Sequence, residues 1–124
     1  MPRFVILQHD HPHLHWDFML ETGDVLRAWR LEREPLTDQG PIAATALGDH
    51  RILYLDYEGP VSGGRGTVVR WDGGEYFEDS AGAAGDRRHV RVRLLGRRIA
   101  GPVSLEWLSA DDWCFARDAV DRQV

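Results

Sequence analysis

Leu14-His15-Trp16-Asp17-Phe18-Met19-Leu20-Glu21 alternates apolar and polar residues, broken only at Met19. On an extended chain Leu14, Trp16, Phe18 and Leu20 share one face, and His15, Asp17, Met19 and Glu21 share the other. The segment therefore reads as a strand whose aromatic face anchors it in a core while a histidine and an aspartate project together from the opposite side. The pattern continues outward in both directions. Phe4 to Leu7 is an apolar, β-favouring run that ends at a polar break, Asp10 to Pro12. Thr22-Gly23-Asp24 is turn chemistry, and Val25 to Leu31 reads as the next strand.

Beyond Pro35 and Gly40-Pro41 the chain stays in short segments. Ala43 to Leu47 suits strand or helix, and Ile52 to Tyr57 reads as strand. Thr67 to Trp71 and Glu75 to Glu78, joined by Asp72-Gly73-Gly74, have the form of a hairpin. Ser80 to Gly85 is a small-residue loop with no core potential. In His89 to Leu95, Val90, Val92 and Leu94 point inward and His89, Arg91 and Arg93 outward. A last pair of strands is expected around Val103 to Leu108 and Trp113 to Arg117, with a frayed end from Asp121 to Val124. Roughly seven to nine short strands at this spacing make a sandwich or closed barrel. Residues 1–124 form one domain: long enough for one core, too short for two.

Composition narrows the chemistry. The net charge of −5 argues against nonspecific binding of long duplex, which needs a basic surface, but leaves room for a local phosphate or strand-end site. All 15 basic residues are arginine, so no lysine serves as nucleophile or AMP acceptor and ligase chemistry on this chain is excluded. Cys114 is the only cysteine and reads as a packed apolar side chain, which suits a reducing cytoplasm. No apolar run is long enough for a membrane helix, and Met1-Pro2-Arg3-Phe4 does not open a secretory signal.

Four of the six histidines lie between residues 9 and 15. His15 and Asp17 project from one face of a rigid strand, and His9 can fold back beside them across the break. Imidazole and carboxylate without thiolate suit Mn²⁺ or Zn²⁺ and leave coordination positions open. His11 and His13 are either further site residues or surface polar groups beside Pro12.

Gln8-His9 with Leu14 to Glu21 resembles the opening signature of the 3′-phosphoesterase domain of bacterial DNA ligase D and its stand-alone relatives. The resemblance runs on through Leu26-Arg27-Ala28-Trp29, Asp49-His50-Arg51-Ile52-Leu53-Tyr54 to Gly59, Gly66-Thr67-Val68, and Trp71 to Gly74. It implies a mainly β fold: a small antiparallel β-barrel with short peripheral helices or loops. It also implies a domain that uses Mn²⁺ to remove a 3′-phosphate or a 3′-terminal ribonucleotide in break repair. The implied partners are DNA or RNA–DNA 3′ ends and a ligase/polymerase repair complex. His9, His15 and Asp17 match the family's metal ligands, His50 a histidine on the scissile phosphate, and Tyr54 a tyrosine lining the same site. Arg33 falls near a basic position, and Glu21 at an acidic position just after the ligand strand. Two family arginines that help hold the phosphate are replaced, by Met19 and Ile42, and the glycine-rich turn after Gly59 is shorter.

In this reading the metal is a Lewis acid and His50 a general acid or a stabiliser of the transition state. Arg33, Arg51 and a protonated His13 are the candidate replacements for the lost arginines. The run Arg87, Arg88, Arg91, Arg93, Arg97, Arg98 is either a local strand-binding surface or a solvated strand face. Two other classes of function compete: a binding module for metal and DNA ends that no longer cleaves, and a hydrolase of small phosphoesters.

Overall fold

The computed structural model describes residues 1–36, 41–79, 84 and 86–117. Nine strands follow one another: β1 Arg3–His9, β2 His15–Thr22, β3 Val25–Leu31, β4 Ile42–Arg51, β5 Gly59–Pro60, β6 Thr67–Glu78, β7 His89–Leu95, β8 Ala100–Ser109 and β9 Asp112–Arg117. A single 3-10 turn, Ile52–Leu55, interrupts them between β4 and β5. All pairings are antiparallel, in the order β1-β2-β3-β4-β9-β8-β7-β6-β5, and a further pairing of β1 with β6 closes the ring. Eight strands thus form a closed barrel with no free edge, and β5 docks on the start of β6. No helix among the described residues is long and apolar enough to cross a membrane.

Every barrel strand sends side chains into one interior cluster, including Phe4, Ile6, Phe18, Leu20, Trp29, Leu31, Ile42, Tyr76, Val92, Leu105 and Phe115. Burying each such side chain stabilises by about 1.5–3 kcal/mol, which outweighs the weak turn preferences between strands. A second, smaller cluster lies on the outer face of β1, β2, β3 and β6, where Val5, Leu7, Met19, Leu26, Ala28 and Val68 meet Leu55. The segment 52–66 covers that face as a strap. Arg70 donates from Nη1 to the Leu55 carbonyl and from its backbone N–H to Glu58, both at 2.7 Å. Arg3 and Asp56 form an ion pair at 2.7 Å, which holds the Asp56 carboxyl below the usual range.

The structure departs from the sequence reading in four places. Thr67 to Glu78 is one continuous strand, not a hairpin. The Asp72 carboxylate is buried and accepts the backbone N–H groups of Arg97, Arg98 and Ile99 at 2.9–3.1 Å, and a Cβ at Gly74 would collide with the Leu95 carbonyl. The aspartate and glycine therefore serve close approach of the β7–β8 turn instead of a turn of their own. Ile52 to Leu55 is a 3-10 turn, so Tyr54 does not alternate with Ile52 along a strand. Ala84 is buried in the interior cluster, although its segment has little apolar content, and its N–H donates to Glu78 at 2.7 Å. Trp16 only packs against the rim of the core, and its indole N–H reaches Gln8 at 3.3 Å. The remainder of the 80–85 loop and the end at 121–124 lie outside the described residues.

Candidate metal and phosphate site

The outer face of β1 and β2 carries the histidine cluster because the hairpin register puts it there. His9 stands opposite His15, Leu7 opposite Asp17 and Val5 opposite Met19. On the other side of β2, Arg30 stands opposite Asp17 and Ala28 opposite Met19. β4 reaches the same face through a bulge. Ala28 pairs with Leu47 but Leu26 with His50, so the extra residue near Gly48 turns both Leu47 and His50 outward. Without it, residues three apart on a strand would face opposite ways.

These elements, the β1–β2 loop and the strap enclose a cavity of about 390 Å³. Its lining includes His9, His11, Pro12, Asp17, Met19, Arg30, His50, Tyr54 and Arg65. A larger hollow of about 650 Å³ is lined by Asp86, Arg87, Arg88 and Trp107 and, among the described residues, holds no cluster of metal donors. The arginines of residues 87–98 line none of the donor cavity. Arg88 stacks over Trp107, Arg98 stacks over Trp71, and Arg91 donates from Nε to Asp79 at 3.0 Å.

His15 is fully buried, Asp17 is 4% exposed, and one donor atom each from His9, His15 and Asp17 lie within 4.8 Å of one another. Hydrogen bonds on the far side of each ring assign the tautomers. His9 Nε2 lies 2.7 Å from the Arg65 carbonyl and His15 Nδ1 2.8 Å from the His13 carbonyl. A carbonyl only accepts, so those nitrogens carry the protons. In the neutral rings the opposite nitrogens are lone pairs, His9 Nδ1 at 3.5 Å and His15 Nε2 at 3.1 Å from the Asp17 carboxylate. His15 Nε2 and Asp17 Oδ1 are buried and, despite their closeness, neither has a hydrogen-bond partner among the described residues. Lone pairs and a carboxylate converging without a proton between them repel one another in a medium of low dielectric. A divalent cation turns that repulsion into coordination, and two nitrogens with one carboxylate suit a hard or borderline ion. The residues present fit a bound metal.

His50 donates from Nδ1 to the Gly48 carbonyl at 2.8 Å, which leaves Nε2 as its free functional atom. Tyr54 meets the His50 ring edge-on, centroids 5.9 Å apart, and is braced in turn by Tyr57 at 5.7 Å.

A family model described as the DNA Ligase D 3′-phosphoesterase domain matches residues 7–106. The chain belongs to that family. The multifunctional non-homologous end joining DNA repair protein LigD of Mycobacterium tuberculosis (strain H37Rv) is 32% identical over 119 residues, 92% of this chain and 16% of the relative. LigD of Pseudomonas aeruginosa is 30% identical over 104 residues, 80% of this chain and 12% of the relative. The chain thus spans about an eighth to a sixth of the curated relatives it matches.

As a DNA ligase D 3′-phosphoesterase domain, the chain shows a clear division among the positions expected from sequence. His9, Asp17, His50 and Tyr54 line one cavity, with His15 buried beside it. The three candidate replacement cations do not join them. Arg33 is exposed and donates to the Pro41 carbonyl at 2.8 Å. Arg51 is exposed at the end of β4, and His13 points to Glu32 at 3.3 Å. Glu21 is a structural tie, accepting the Arg3 N–H at 2.9 Å and, through its carbonyl, the Tyr76 hydroxyl at 2.7 Å. Of the two positions at which the resemblance implies a lost arginine, Met19 lies in the cavity wall, whereas Ile42 points into the barrel interior. Arg30 and Arg65, which sequence reasoning passed over, both line the cavity. Arg30 was within reach: the two-residue turn Gly23-Asp24 fixes the β2–β3 register, and counting back from Thr22↔Val25 arrives at Asp17↔Arg30.

Proposed function

We propose that this domain is a metal-dependent 3′-phosphoesterase that removes a 3′-phosphate, or a 3′-terminal ribonucleotide, from DNA ends during break repair. The observation that carries the reading is the convergence of two imidazoles and a buried carboxylate beside a third histidine, His50, at one cavity. Family membership supplies the class of reaction. His9 Nδ1, His15 Nε2 and Asp17 are the donors that would hold the metal, Mn²⁺ first and Zn²⁺ second. When bound, the ion supplies Lewis-acid neutralisation of phosphate charge.

The protein's own residues do the rest. Carbonyl hydrogen bonds hold both ligand imidazoles in the metal-binding tautomer, so little reorganisation accompanies binding. His50 keeps its Nδ1–H on the Gly48 carbonyl and presents Nε2 to the site; in its doubly protonated form it donates the Nε2 proton to the departing 3′ oxygen and is left as the neutral Nδ1–H tautomer, with Tyr54 packed edge-on against its ring. The strap and the apolar wall around Leu7, Met19 and Val68 limit water around the phosphate. A local cavity reconciles phosphate chemistry with a net charge of −5, because only the strand end need be held.

The test is incubation of a 3′-phosphate primer–template with the protein and Mn²⁺, with products resolved on a gel. Conversion to 3′-hydroxyl that chelator and His15→Ala abolish is the expected result. Binding of metal and end without conversion under any divalent ion overturns the phosphoesterase reading and makes the domain an end-binding module.

A further inference from the structure

We propose that Arg30, reaching from β3 into the cavity whose wall Met19 forms on β2, holds the scissile phosphate. The inference rests on the phosphoesterase reading and identifies the cation that reading needs. Arg30 lines the donor cavity with His9, Asp17, Met19 and His50. Its Cα stands opposite Asp17, and Met19 is the diagonal neighbour two residues along β2. A side chain as long as arginine covers the space of that diagonal neighbour.

Three features separate a ligand-holding role from a structural one. A guanidinium opposite a carboxylate on one sheet face ordinarily pairs with it, yet among the described residues Arg30 forms no ion pair, with Asp17 or any other acid. Asp17 is turned instead towards His9 and His15. The Arg30 Nε is buried and, among the described residues, has no hydrogen-bond partner, a cost that persists unless an acceptor enters the cavity. The other cations are committed. Arg65 donates from Nε to the Ser62 carbonyl at 2.7 Å and from Nη2 to the Ser62 hydroxyl at 3.2 Å. Arg33 and Arg51 lie outside the cavity. Bidentate guanidinium–phosphate pairing is strong and directional, and the buried methionine beside it keeps the local dielectric low.

The test is fluorescence anisotropy in Mn²⁺, comparing an oligonucleotide with a 3′-phosphonomethyl end, a non-cleavable phosphate mimic, against the same strand ending in 3′-hydroxyl. The wild type is expected to prefer the phosphonate by about tenfold or more. Arg30→Gln should bring that preference close to one while leaving Mn²⁺ affinity unchanged, and Arg30→Lys should restore part of it. Intact preference in folded Arg30→Gln, or in Arg30→Met should the glutamine variant fail to fold, overturns the role of Arg30 and leaves the phosphoesterase reading standing. A wild type with no preference overturns both.

Discussion

Gly66 is the residue where backbone strain and metal binding meet, which makes Gly66→Ala an informative perturbation. Its φ is +78°, and an added Cβ would strike the Asp10 carboxylate and lie 2.6 Å from the His11 Cβ. Holding alanine in that backbone region costs about 1–2 kcal/mol. Pushing Asp10 away from the Thr67 N–H, which it accepts at 2.8 Å, adds roughly 1.5–3 kcal/mol for a charge-assisted bond. A loss of about 2.5–5 kcal/mol is therefore expected in urea unfolding. Arg65, the adjacent residue, supplies the carbonyl that fixes His9, so Mn²⁺ affinity should also fall by about 10- to 100-fold. Gly64 is the control: its φ is +68°, but a Cβ there meets nothing within 4 Å. Gly64→Ala should cost only the backbone strain, about 1–2 kcal/mol, with metal affinity unchanged. Equal losses in the two variants, in stability or in calorimetric Mn²⁺ binding, would refute the reasoning.

Ile42→Arg, the residue the resemblance implies there, places a charge in the barrel interior and should destabilise by several kcal/mol, read as a large fall in Tm; an unchanged Tm contradicts the inward orientation. Asp72→Asn leaves one acceptor oxygen for three backbone N–H groups and should cost about 1.5–3 kcal/mol in urea. Burial, and then the charge of Glu78, push the Tyr76 hydroxyl up to about 12 from 10. Because the folded value is the higher one, this stability is whole below pH 10 and lost as pH rises towards 12. Ultraviolet titration should show one tyrosine ionising near 12, and Tyr76→Phe should remove that step.

The site was legible in the sequence wherever it rests on local period. His15 and Asp17 share a face because strands alternate, and His9 joins them because a short loop returns β1 to β2. The barrel followed from strand count and spacing together with the family resemblance. What escaped depended on distant contacts. Asp72-Gly73-Gly74 has turn composition, and only the Leu95 carbonyl and the 97–99 backbone, far along the chain, give those residues another use. The bulges on β4 and β6 reverse facing by one residue, and composition does not announce them. Placing Arg33, Arg51 and His13 at the phosphate relied on nearness in sequence, which a twisted sheet does not convert into nearness in space. Ile42 shows the same point, since strand parity sends it inward whatever its family counterpart does.

The most direct measurement of the central claim is calorimetric titration of Mn²⁺ into the metal-free wild type, His15→Ala and Asp17→Asn, each checked for folding by circular dichroism. One ion per chain is expected in the wild type, with affinity reduced at least about 100-fold in both variants, since each loses one of three coordination bonds. Undiminished one-to-one binding in folded His15→Ala and Asp17→Asn would contradict the claim that these residues are the metal centre.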